Sequence, residues 1–220
     1  RDDLNNLSIS FNKAIKFIVF IGIPASLILI VLREPIVDLL YRRNQFNAES
    51  AYRTTSVILF YAIGIWAYCG LHVLIRAFYS VKDTVTPVKI GAICVGLDFI
   101  LNMSLIWLLR EGGLALSTAI SAIVQIIILT IILQKRLRTK IGSEVVVSIL
   151  KTVIASILMA FVCWITLRMF PASEGTGSLY FKGLRLFAPM TAAFAAFAGA
   201  SVILKSEEFG HLVRLSLRKS

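Results

Sequence analysis

Two apolar runs, Ile90–Leu109 and Leu114–Leu133, stand almost end to end, separated only by Arg110–Glu111–Gly112–Gly113. A helix of about 20 residues rises about 30 Å, the thickness of a bilayer's hydrocarbon. A break this short makes the second run an antiparallel neighbour of the first. Similar runs cover roughly 14–32, 55–79, 146–169 and 184–204, so with 89–109 and 113–134 the chain offers six spans. In lipid a spanning segment must satisfy its own backbone, and a helix does so. The fold class expected is therefore an all-α polytopic membrane protein with six transmembrane helices. The 58% hydrophobic content and mean hydropathy of +0.84 agree.

The central hairpin, Lys89 to Gln134, carries polar residues where lipid disfavours them. Asp98 lies in the middle of the first run, and Asn102 follows on the same helix face. A carboxylate at the centre of a span costs about 3 kcal/mol on insertion scales. In the second run Leu114, Thr118, Ser121 and Gln125 form one stripe. With the two glycines as the turn, Asp98 is expected level with Gln125 and Asn102 level with Ser121. One reading is a set of interhelical hydrogen bonds among Asp98, Asn102, Ser121 and Gln125. The sharper reading is a site for Na⁺ or H⁺, since intramembrane carboxylates mark ion pathways. Its oxygens would come from Asp98, Asn102, Thr118 and the carbonyl at Leu114. Thr118 would then sit about one turn from the level of Asn102, so helix tilt would have to bring it in.

Charge sets the topology and excludes other classes. The net charge of +11 comes from basic residues at span ends, which argues for membrane topology and against nucleic acid. Of the 23 Lys and Arg residues, 15 fall on the side of the two termini and 8 on the other, so both termini are expected in the cytoplasm. Cys69, Cys94 and Cys163 lie inside spans, and read as small apolar packers. No acid/base pair, nucleophile elbow, phosphate-cradling glycine loop or metal-ligand set occurs, so no catalytic residue, cofactor or metal beyond Na⁺ is expected. The chain has no initiator Met and no signal-peptide pattern, and is expected to be a piece of a longer protein.

Other residues invite a role. Pro24, in Gly22–Ile23–Pro24, would kink the first span, either for packing or as a gating hinge. Leu32–Arg53 reads as an outward loop with an interfacial patch after Pro35. Its Arg42 and Arg43 would snorkel or contact headgroups or pyrophosphate. His72 and Arg76 share a face near the cytoplasmic end of the second span and serve either as anchors or in a polar cavity. Asp83 and Thr84 form a turn before Pro87, which starts the third span. Lys151 and Arg168 can snorkel at the two ends of the fifth span. Pro171–Ser178 is an outward loop, and the alanine-rich sixth span suits close packing.

The passage Phe78–Tyr79–Ser80–Val81–Lys82–Asp83–Thr84–Val85–Thr86–Pro87–Val88–Lys89–Ile90 resembles the lipid II flippase family MurJ (MviN). That family belongs to the multidrug/oligosaccharidyl-lipid/polysaccharide exporter superfamily. Gly22–Ser26, Pro35 to Phe46, and the run from Asn102 to Ser117 support the likeness. It covers essentially the whole chain, as spans nine to fourteen of fourteen. The resemblance implies the C-terminal part of a two-lobe, alternating-access flippase in the bacterial cytoplasmic (inner) membrane. Residues 1–135 would form about four spans of the C-terminal lobe. Residues 136–220 would form two additional helices and a cytoplasmic tail. The implied cargo is lipid II, an undecaprenyl-pyrophosphate-linked disaccharide-pentapeptide; the other implied partners are membrane lipids and an N-terminal half of the same protein. Cation coupling within the superfamily adds weight to Asp98. A sister exporter for polysaccharide-lipid or drugs, or a non-transporting scaffold, remain the alternatives.

Overall fold

The computed structural model describes residues 2–41, 48–137, 142–170, 179–204, 206, 208 and 210, with the side chains of 2–8, 48, 137 and 179 excepted. Six long helices account for nearly all of it. They are α1 (Asp2–Leu40), α2 (Ala48–Ser80), α3 (Val85–Leu109), α4 (Glu111–Leu137), α5 (Ser143–Met169) and α6 (Leu179–Ile203). All six contain stretches long and apolar enough to cross a membrane. The chain is therefore an all-helical, multi-pass membrane protein.

The helices pack as two groups that share α1. On one side α1 meets α2, α2 meets α4, and α3 leans on α4 with little other support. Phe11, Leu71, Leu74, Phe78, Leu129 and Leu133 fill that seam. On the other side α5 and α6 pack on each other and on α1 around Leu32, Met159, Cys163 and Ala193. Glycines permit the closest crossings. A Cβ at Gly22 would lie 2.8 Å from the Trp66 Cα, and one at Gly64 would lie 2.9 Å from the Ala119 Cβ.

Three expectations need correction. The stretch after Leu32 is not a loop up to Leu40: α1 runs unbroken through Pro24 and Pro35. Tertiary burial overrides proline here, because Leu32, Pro35 and Val37 are almost fully buried. Pro35 removes one helical donor, and Arg33 Nη1 donates to the nearby Ile30 carbonyl at 2.9 Å. Cys69 is exposed, because it lies on the outward stripe of α2 with Tyr61, His72 and Arg76; only Cys94 and Cys163 are packers. The third correction concerns the hairpin turn. Glu111, Gly112 and Gly113 belong to α4, and Arg110 alone links the helices, at φ 51°. Glu111 suits a first turn, where the helix dipole favours an acid. The glycines serve approach. A Cβ at Gly113 would strike the Leu105 carbonyl group, whose carbon would be 2.7 Å away, while one at Gly112 would crowd the Phe60 ring, a side chain, at 2.9 Å.

The opposite end of the hairpin is tied down too. Lys82 takes φ 59°, and Asp83, buried, caps α3 by accepting from the Thr86 amide at 3.0 Å. Its other oxygen pairs with Arg136 at the end of α4. Pro171–Ser178 lies outside the described residues.

Gly113→Ala should destabilise the protein by about 2 kcal/mol, because backbone must move, whereas Gly112→Ala should cost less, because a side chain can turn. Thermal unfolding of the two variants in detergent checks the order; equal midpoints would refute it.

Candidate functional site: the polar seam of α3 and α4

With Arg110 alone as the turn, α3 meets α4 about one helical turn away from the expected register. Asn102 Oδ1 accepts a hydrogen bond from Ser117, not Ser121. Gln125 is not level with Asp98: its Nε2 lies 3.4 Å from where a Cβ of Gly91 would be. Asp98 thus falls at the level of Ser121. The miss has a physical cause: the two glycines looked like a turn, but they act as a slot for a neighbouring carbonyl.

The shift gathers the oxygen-bearing groups. Asn102 Nδ2 donates to Asp98 Oδ2 at 3.1 Å, so its amide bridges α3's carboxylate to α4's Ser117. Thr118 donates to the Leu114 carbonyl at 2.8 Å, and Ser117, whose single O–H serves Asn102, has its hydroxyl oxygen 2.9 Å from the same carbonyl. Thr118 therefore lies at the level of Asn102 without any special tilt. Each hydroxyl keeps its own lone pairs for another partner, while the Leu114 carbonyl already accepts from Thr118. Ser117 was missed from the sequence. It is fully buried and adjacent to Thr118, and only the register could have singled it out.

The seam is not fully satisfied. Asp98 Oδ1, Ser121 Oγ and Tyr68 Oη are buried and have no hydrogen-bond partner among the described residues. Tyr68 reaches in from α2, within electrostatic range of Asp98. Buried carboxylate oxygens of this kind are costly unless something pairs with them. The donor set is all oxygen, as a hard cation requires. The described residues hold no group of three or more His, Cys, Asp or Glu side chains suited to a transition metal.

The other candidates do not join this seam. His72 and Arg76 are exposed on one face of α2, as their spacing requires. Pro24 is buried within continuous helix. Arg42 and Arg43 lie outside the described residues. Arg168, at the far end of α5, stacks on Trp164 with its guanidinium carbon 4.8 Å from the ring centre.

Six helices long and apolar enough to span a membrane, with a mid-depth carboxylate among unpaired oxygens, define a polytopic membrane protein. The chain belongs to the lipid II flippase MurJ family, whose model matches residues 1–184. A probable lipid II flippase MurJ of Vibrio cholerae serotype O1 is 34% identical over 110 residues, 50% of this chain and 21% of that protein. Another, from Buchnera aphidicola subsp. Baizongia pistaciae, is 26% identical over 189 residues, 84% of this chain and 37% of the relative. The lipid II flippase MurJ of Thermosipho africanus is 30% identical over 125 residues, 56% of this chain and 26% of the relative. The fold matches a solved lipid II flippase MurJ in an inward closed conformation, with TM-score 0.73 and 21% identity, over 93% of this chain and 40% of that one. The chain thus spans well under half the length of these relatives. They are flippases, not enzymes.

Cysteines placed at 102 and 117 in a cysteine-free background should cross-link readily, and a 102/121 pair should not. A gel assay decides it; preferential 102/121 cross-linking would restore the register expected from a glycine turn.

Proposed function

We propose that the full-length protein containing this chain moves lipid II from the cytoplasmic to the outer leaflet of a bacterial cytoplasmic membrane by alternating access. The observation that carries this reading is family membership across residues 1–184, together with the shared fold over 93% of the chain. In this reading α1–α4 belong to one lobe, the opposing lobe lies N-terminal to Arg1 in the same protein, and α5 and α6 are an addition that docks on α1. Both termini face the cytoplasm, following the excess of basic residues at that end.

Transport is coupled, in this reading, to a monovalent cation held by Asp98, Asn102, Ser117 and Thr118. The unpaired Asp98 oxygen and the free hydroxyl lone pairs support that assignment. The Leu114 carbonyl, already accepting the Thr118 hydroxyl, orients Thr118 instead of serving as a ligand itself. A cation entering the seam neutralises Asp98 and ties α3 to α4. Its departure leaves a charge that disfavours the same packing, so occupancy biases the lobe between two arrangements. His72 and Arg76, on the exposed face of α2, would in this reading meet an anionic pyrophosphate from the cytoplasmic side.

Asp98→Asn keeps an acceptor for Asn102 but removes the charge. In proteoliposomes of the full-length protein it should abolish the dependence of lipid II translocation on a Na⁺ or H⁺ gradient. Unchanged translocation with an unchanged gradient dependence would remove the coupling. If the wild-type protein failed to move lipid II but moved another polyprenyl-linked glycan, the sister-exporter reading would replace it.

A further inference from the structure

A second charged site lies at the C-terminal end of α1 and is formed by α1, α5 and α6, none of which builds the polar seam. A half-open cavity of about 730 Å³ is lined there by Arg33, Glu34, Trp164, Leu167, Arg168 and Arg185 among others. We propose that this cavity binds the phosphate of an anionic lipid headgroup.

 Three guanidiniums face it against one carboxylate, so it favours an anion.

Each arginine is held differently, and each keeps donors to spare. Trp164 fixes Arg168 by stacking and takes none of its N–H groups. Arg33 uses Nη1 on the Ile30 carbonyl. Neither forms an ion pair among the described residues. Arg185 is mostly buried; its Nη1 pairs with Asp38 Oδ2 at 3.1 Å, while its Nε is buried with no partner among the described residues. A guanidinium carries five donors in a planar fork that matches phosphate oxygens. Three forks converging on one cavity therefore leave more donors than the protein itself uses.

The position of the cavity points to a lipid. It lies at the far ends of α1 and α5 and near the start of α6, where the apolar stretches stop. Trp164, Tyr180 and Phe181 are exposed at this level, as aromatic residues are at a membrane interface. Ile30 and Leu167 give the cavity an apolar wall, along which an acyl or prenyl chain can descend beside the helices. Arginines that merely snorkel would not share a cavity, nor leave a buried Nε unpaired. The site requires only a membrane-embedded chain, so it stands or falls separately from the flippase reading.

Native mass spectrometry of the full-length protein tests it, with phosphatidylglycerol, a polyprenyl pyrophosphate and inorganic pyrophosphate as probes. Arg33→Gln with Arg168→Gln should weaken retention of the lipid by about tenfold, the scale of a lost charge-assisted hydrogen bond. Arg110→Gln, at the same end but outside the cavity, should change nothing. Trp164→Leu, which frees Arg168 without removing charge, should give a smaller loss in the same direction and serves if the double variant fails to fold. A loss confined to phosphatidylglycerol identifies a bulk phospholipid, and one confined to the polyprenyl pyrophosphate identifies a carrier lipid; either supports the site. No loss with either lipid, an equal loss from Arg110→Gln, or an effect on inorganic pyrophosphate alone overturns it.

Discussion

The approach of α3 to α4 at Gly113 decides which polar groups can meet inside the membrane. No side chain fits between Gly113 and the Leu105 carbonyl, so the helices are pinned at that point, just after the Arg110 turn. At the other end Asp83 caps α3 and pairs with Arg136 of α4. Between these two ties the register has no freedom to slip by a turn. It places Asn102 on Ser117 and leaves Asp98, at the level of Ser121, with one oxygen unpaired among the described residues. In hydrocarbon that unpaired oxygen has no water to turn to, which makes the register an electrostatic matter as well as a packing one.

Most of the fold could be read from the sequence, because span length is a strong physical signal. The lone Asp98, its Asn102 neighbour and the polar stripe facing them were equally plain. What could not be read was set by tertiary packing. The stretch after Leu32 looked like a loop, yet packing of Leu32 and Ile36 against α5 and α6 holds α1 in one piece. Gly112 and Gly113 looked like a turn, yet they are a contact surface. Ser117 had no distinguishing pattern of its own, and only the position of the turn reveals it. Cys69 resembled Cys94 and Cys163 in composition, and only the face of α2 separates it from them.

The helices divide into a group of four and an attached pair. α1 belongs to both packing clusters, so α5 and α6 dock through it and not through α3 or α4. α3, which carries the carboxylate, rests mainly on α4 and exposes most of its surface. A helix held by one neighbour can change its packing with less disruption than one held by three. The charged seam therefore sits on the least constrained of the described helices, where, in the proposed coupling, occupancy by an ion would have most effect.

That seam can be interrogated without any transport assay. The thermal midpoint of the purified full-length protein, compared in sodium chloride and choline chloride at equal ionic strength, reports whether a small cation binds the native state. A higher midpoint in sodium, lost on changing Asp98 to Asn, is the predicted result. Identical midpoints in the two salts, or a sodium effect that survives without the carboxylate, would contradict it.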